Sequence, residues 1–204
     1  MAPPTTRTAT QMITWGRSVA DTVIEGLFAA RRGTGGAEGP ALRTAGTAVD
    51  LPLETWDLAK VESYVSGCRS DLGSHSEFEG KYRLAIDTWD AMMIERVRRG
   101  DPWNTRVHLG VVSFGPAALV TVNAEIFSQF TELAGVGAGR PVYTVSCANG
   151  MIGYVPTAVA YDEGGYEVSH AMLFYNLPRP QQGGLELLAD HARALVGSNA
   201  PNAS

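Results

Sequence analysis

With 204 residues, 45% of them hydrophobic and 18% charged, the chain suits one folded domain with a real core, or one large piece of a bigger domain. A formal net charge of −5 argues against a nucleic-acid binder, which usually carries a basic excess. Two cysteines, Cys68 and Cys147, far apart and in no CxxC pattern, rule out a disulfide framework and zinc-finger spacing, and both read as buried free thiols.

Residues 1–10 are rich in Pro and Thr and read as a disordered N-terminal arm. They show no basic stretch followed by an apolar one, as a signal peptide would. No apolar run approaches the roughly 20 residues needed to span a bilayer. The expected location is cytoplasmic, with no membrane and no nucleic acid as partner.

From Gln11 to Arg32 the spacing of Trp15, Val19, Val23 and Leu27, joined by Ala20, Ile24 and Phe28, predicts a helix. The glycine-rich run from Gly33 to Pro40 ends it as a loop. Ala48–Leu53 reads as a short strand, and Pro52 places it at an edge. A helix capped by Thr55 or Asp57 runs to about Cys68, followed by a polar break from Gly67 to Gly73. Ser76–Arg99 is expected to be a long helix whose Arg96, Arg98 and Arg99 suit the negative end of its dipole.

Arg106–Phe114 and Ala117–Val122, separated by Gly115-Pro116, read as a hairpin of two well-buried strands. Asn123–Leu133 is expected to turn into a helix, and Val142–Ala148 to be a third strand. Pro156–Tyr161 reads as a short helix, Glu167–Tyr175 as a further strand, and Gly184–Val196 as a terminal helix. Residues 11–197 form the expected folded part, and 198–204 a disordered tail. Strands and helices alternate without a steady βαβ rhythm, which predicts an α+β fold: a mixed sheet flanked by helices.

Three residues stand out for chemistry. Glu125 sits where an apolar strand gives way to a helix, a place where functional groups are exposed and also where a first-turn glutamate suits the helix dipole. Tyr154 is flanked by glycine, and Tyr166 follows Gly164-Gly165 twelve residues on. Glycines let backbone approach a ligand closely. A tyrosine oxygen can serve a cation as phenolate or donate to a developing oxyanion, and an ordinary core tyrosine is the other reading of each. His75, His108, His170 and His191 form no HxH or HxxxH pair. There is no GxSxG elbow, P-loop or GxGxxG fingerprint.

Gly153-Tyr-Val-Pro-Thr157 followed by Ala160-Tyr-Asp-Glu-Gly-Gly-Tyr-Glu167 resembles the C-terminal half of the catalytic domain of neutral/alkaline (non-lysosomal) ceramidase-like hydrolases. Members of that family carry a Tyr-(Val/Leu/Ile)-(Thr/Pro)-Thr run and a later Tyr-Glu pair. Leu109–Glu125 is similar to the family's strand-turn-strand ending in Pro-Gly-Glu. Trp15–Ala20 and Val49–Leu53 add weaker matches in the right order, so that the likeness covers residues 12–197. By resemblance, Glu125 and Tyr154 are zinc ligands and Tyr166 helps polarise the scissile amide carbonyl. The family's two histidine ligands lie in an N-terminal half that this chain lacks.

The resemblance therefore implies a two-chain zinc amidohydrolase. A separately encoded partner would supply two histidines, across a large and hydrophobic interface. The substrate would be a small amide or acyl compound. Asn123-Ala124 stands where the family has Pro-Gly, which leaves open a binding or scaffold subunit with a lost metal site. An amide-forming or ring-closing enzyme using the same site is a further alternative.

Overall fold

Apolar residues at every second position decide how the central sheet faces. In β2 (Asn104–Phe114), Val107, Leu109, Val111 and Ser113 are buried while the residues between them are not. β3 (Ala117–Val122) continues that buried face with Ala118, Val120 and Val122. The computed structural model describes residues 9–33, 42–71, 79–114 and 116–199. The chain divides into two compact units, residues 1–39 and 40–204. Helices accompany a mixed four-stranded sheet, and the fold is α+β.

The first unit contains α1 (Ala9–Gly33), in agreement with the periodicity of Trp15, Val19, Val23 and Leu27. Trp15 is 51% exposed and Val19 65%. Residues 1–8 of the proposed N-terminal arm, residues 34–40 of the glycine-rich loop, His75 and residues 200–204 of the proposed tail lie outside the described residues. So do Leu72 and Gly73 of the expected polar break, but its first five residues, Gly67–Asp71, are helical and extend the preceding helix past Cys68.

In the second unit the sheet runs β1 (Leu42–Pro52), β2, β3, β5 (Val142–Val145). β1 and β3 flank β2 antiparallel, and β5 pairs with β3 in parallel. β1 is an edge strand, as Pro52 suggests, but it begins well before Ala48 because its full length pairs with β2, from Leu42↔Phe114 to Pro52↔Asn104. β5 stops at Val145, short of the expected Ala148, where a turn begins.

One face of this sheet is packed. Val49 and Leu51 join the buried residues of β2 and β3, and against them lie Phe130 and Ala134 of α4 (Gln129–Gly135) and Leu185, Leu188, Ala192 and Val196 of α8 (Gly184–Ser198). Each fully buried aliphatic or aromatic side chain contributes about 1.5–3 kcal/mol. Arg140 fastens α8 to this layer, donating to Ser113 Oγ at 3.0 Å and to the Val196 carbonyl at 2.9 Å. The hairpin of β2 and β3 is well buried on this face, and the opposite face is more open, most of all toward the flanking strands β1 and β5. Leu42 is 68% exposed, Tyr143 55% and Val145 41%. Thr44, Val112, Leu119 and Tyr143 lie in register across it.

A second core is helical. Asp57 accepts the Lys60 N–H at 2.7 Å and starts α2 (Leu58–Asp71), as its position predicts. α2 packs Val61, Val65 and Cys68 against Ile86, Trp89 and Met93 of α3 (Glu79–Arg99), with Trp56 at the edge. Trp56, Tyr64 and Trp89 meet at ring-centroid distances of 5.1–5.4 Å. Cys68 is buried as expected, but Cys147 is exposed, on a turn at φ +59° beyond β5. Among the described residues no helix is long and apolar enough to cross a membrane.

Two expected elements change identity. Asn123–Leu133 does not become one helix. Glu125–Ile126 forms a short strand, β4, paired in parallel with β6 (Tyr154–Val155), and α4 starts only at Gln129. Glu167–Tyr175 is not a strand. It folds as two single-turn helices, α6 (Tyr166–Ser169) and α7 (Met172–Tyr175), whose Val168, Met172 and Leu173 are buried. α5 (Ala158–Glu163), capped by Thr157, begins two residues after Pro156.

Candidate functional site

β4 and β6 are two residues each, and their register sets Glu125 beside Tyr154 and Ile126 beside Val155. What holds the pair is the layer beneath it. Val155 is fully buried in the sheet core, so its neighbour Tyr154 lies on the other side of the strand. Asn123 and Ala124, the positions where Pro-Gly was expected, are both buried. The Asn123 carbonyl accepts from Ile152 N–H and the Ala124 carbonyl from Cys147 N–H, each at 2.9 Å. Asn123 Oδ1 also accepts the His108 N–H at 2.7 Å. This lacework fixes the backbone entering Glu125.

The Glu125 carboxylate facing the Tyr154 phenol, followed by burial, pushes the pKa of Tyr154 well above the ordinary value. Tyr166 heads α6 immediately after Gly164 (φ +73°) and Gly165 (φ +116°), a backbone course that side-chain-bearing residues rarely adopt. Its ring meets that of Tyr154 edge-to-face, with centroids 6.2 Å apart. It is 42% exposed, and partial burial raises its pKa. The three residues singled out from the sequence therefore come together.

A fourth member was not foreseen. Tyr175 donates its O–H to Glu125 Oε2 at 3.0 Å, and its ring lies 6.2 Å from that of Tyr154. Burial and the Glu125 carboxylate push its pKa up to about 12. Nothing local in the sequence marks Tyr175, since the contact spans 50 residues. The Tyr175 hydrogen bond holds Glu125 in place, and the carboxylate beside both phenols favours their protonated forms.

Gly153 is the close approach that makes this possible. Its φ is +101°, and a Cβ there would come within 2.8 Å of the Tyr175 ring. Gly153→Ala is expected to cost about 2 kcal/mol or more, from strain and overlap together. It should also displace Tyr175 from Glu125, seen as a fall of the Tyr175 pKa toward ~10 in an alkaline absorbance titration.

Arg179 braces the site from behind, with Nε 2.7 Å from Glu54 Oε1 and its guanidinium over the Tyr161 ring. Tyr64 ties α2 to the carbonyl of Ser169 at 2.5 Å. The pKa values of Tyr64 and Tyr161 are raised, by burial first in each case, as are those of Tyr154 and Tyr175. The unfolded chain loses these protons near pH ~10, whereas the fold retains them. Stability should therefore be full below pH ~10 and fall as pH rises through the folded-state values. A lower urea midpoint at pH 11 than at pH 9 is the expected result.

His108 lies in β2, His170 ends α6 and His191 is exposed on α8. Among the described residues no three His, Cys, Asp or Glu side chains gather into a metal-binding group. Glu125 and Tyr154 nonetheless fit a shared cation in donor chemistry. Both offer oxygen, and the strand register sets the two residues side by side. A scan against protein-family models gives no match for this chain, and a search of curated proteins gives none either.

Proposed function

We propose that this chain is one subunit of a two-chain zinc-dependent amidohydrolase of the neutral ceramidase-like kind. The observation that carries the reading is the β4–β6 register, which sets Glu125 against Tyr154 with Tyr166 at the next ring. Glu125 and Tyr154 would hold zinc together with two histidines from a separately encoded chain. Zinc bound there would supply an activated water and polarise an amide carbonyl.

This chain's own residues have separable tasks in that reading. Tyr175 holds Glu125 Oε2, which orients the carboxylate that would serve zinc. Tyr154 would have to give up its proton to serve as a ligand, so zinc binding would release a proton and tighten with rising pH. Tyr166 keeps its proton, because burial disfavours the phenolate, and its O–H is the donor toward the substrate carbonyl.

The need for a partner has support of its own. Two protein donors are fewer than the three that a catalytic zinc usually has. The open face of the sheet leaves Leu42, Tyr143 and Val145 exposed, apolar surface of the kind that a second subunit covers. The cavity beside Tyr154 and Tyr175 is only about 20 Å³, so a substrate chamber needs walls from elsewhere. The well-bonded Asn123-Ala124 backbone favours a working site over a scaffold subunit that has lost its metal. A cytoplasmic location and a small soluble amide as substrate complete the proposal.

The decisive measurement is zinc per complex, by elemental analysis, in the chain purified alone and with a partner that supplies the histidines. The full chain alone should hold no stoichiometric zinc, and the complex about one. Tyr154→Phe should remove most of the metal from the complex. A chain that binds zinc tightly by itself, or a Tyr154→Phe complex with unchanged zinc, would refute the reading.

A further inference from the structure

Four of the seven tyrosines of this chain, together with Phe174, form one unbroken row of rings. From Tyr175 the row passes to Tyr154, then to Tyr166 at 6.2 Å, to Phe174 at 6.3 Å and to Tyr82 at 5.0 Å. Its two ends differ. At the first, Tyr175 hydrogen-bonds to Glu125, which pairs in register with Tyr154. At the second, Phe174 and Tyr82 pack edge-to-face at 87°, a contact between α7 and α3.

The middle pair has a different geometry. The rings of Tyr166 and Phe174 are tilted by 45° to one another, and these residues are 42% and 40% exposed. Two neighbouring rings that each keep about two-fifths of their residue exposed offer π-surface on which a planar group can make offset or edge contacts. An α7 that only needed to cover α3 would have Met172 and Leu173, which are buried, as its packing residues. Phe174 keeps two-fifths of its surface in solvent, beside a tyrosine O–H.

We propose that the Tyr166–Phe174 pair, backed by Tyr82, is the subsite for a planar aromatic group attached to the substrate's carbonyl, so that the substrates are aryl carboxamides. The proposal rests on the reading above in one respect, that the Tyr166 O–H faces that carbonyl. A group next to the carbonyl then lies along Phe174, the neighbour of Tyr166 on the side away from Glu125. Rings welcome a flat π-system more than a flexible alkyl chain, which gives up rotamer freedom to lie flat. The carboxylates whose charge reaches Tyr166 are Glu125, which Tyr175 engages, and Glu167. An organic cation drawn to ring faces and carboxylates is the competing ligand, and the test discriminates it.

The full chain, carrying ¹³C-labelled Phe and Tyr rings, is titrated with benzamide, acetamide, hexanamide and benzyltrimethylammonium while ring signals are followed by NMR. Benzamide is expected to shift the Phe174 and Tyr166 signals and to bind about tenfold tighter than acetamide or hexanamide. Phe174→Leu keeps an apolar side chain but no π-face, and should erase that preference while the other ring signals stay folded. Tyr166→Phe should keep the preference and weaken amides generally.

Hexanamide binding as well as benzamide, the cation binding tighter than both, or no ring shift at millimolar benzamide would each overturn the proposal. So would an unchanged preference in Phe174→Leu. Failure of the zinc reading would show separately, as unchanged zinc in Tyr154→Phe, a measurement that Phe174 does not enter.

Discussion

Glu125→Gln should release two tyrosines at once. The carboxylate accepts from Tyr175 at 3.0 Å and pairs in register with Tyr154, and it is the first cause of the raised Tyr154 pKa and the second, after burial, at Tyr175. A neutral amide removes the repulsion between a carboxylate and an incipient phenolate. Both tyrosines should then ionise nearer the ordinary ~10, Tyr154 by the larger step. An alkaline titration of phenolate absorbance, compared with Tyr154→Phe and Tyr175→Phe, assigns each step. A Glu125→Gln titration that overlays the wild type would mean that the carboxylate does not organise the site.

On the proposed reading the same substitution strips the metal. Losing a partner that only orients a ligand costs about 10–100-fold in metal affinity, and losing a ligand should cost at least that. Tyr175→Phe is the graded control. It takes away only the bond to Oε2, so zinc should weaken without disappearing, and the Tyr154 titration should move less than in Glu125→Gln. Equal loss in both variants would make Tyr175 a ligand itself.

The largest effect on stability is expected at Trp89→Ala. Trp89 is fully buried in α3, packs against Trp56 and Tyr64, and donates its Nε1–H to the Leu177 carbonyl at 3.1 Å. Truncating a buried tryptophan costs about 3–5 kcal/mol, and a carbonyl left without its donor adds about 1–3 kcal/mol. Against a domain stability of about 5–15 kcal/mol this is a large share. The urea midpoint should fall steeply with little change in slope.

Leu177 lies two residues beyond Tyr175, so Trp89→Ala also loosens the segment that carries the tyrosine. Trp89→Phe separates the contributions, since it keeps a ring in place but removes the hydrogen bond. A cost near 1–2 kcal/mol is expected for it. A Trp89→Ala midpoint close to that of the wild type would show that the α2–α3 core is not what holds the C-terminal helices.

These elements differ in how plainly they can be read from residues. The 15-residue α8 carries a helical period over four turns, and Asp57 before α2 is a cap whose hydrogen bond lies three residues away. Local signals of that kind survive folding. Residues 167–175 defeat them because the run Val168-Ser-His-Ala-Met-Leu-Phe-Tyr175 is apolar enough for a strand and too short to show a helical period. The two positive-φ glycines ahead of it, and the core that buries Met172 and Leu173, decide for single helical turns.

The site is split in the same way. Glu125, Tyr154 and Tyr166 stand at turns and strand ends that residue chemistry marks out. Their convergence depends on a parallel pair of two-residue strands, for which no periodicity exists. Tyr175 reaches Glu125 across 50 residues, and only Gly153, whose missing Cβ leaves room for the ring, hints at it. The exposed Cys147 departs from the burial habit of free cysteine because it sits on a tight positive-φ turn outside both cores.

The pairing of β1 also sets a timetable for synthesis. Asp50 meets Arg106 in the neighbouring strand 56 residues later, and Glu54 meets Arg179 after a further wait, 125 residues on. At about 5–20 residues per second a ribosome needs roughly 3–10 s to deliver the first of these partners and longer for the second. Throughout that interval β1 is an unpaired ribbon beside a nascent chain, open to whatever else offers a strand edge. Production should therefore be sensitive to translation speed and to holding chaperones at a stage before the site residues have left the ribosome.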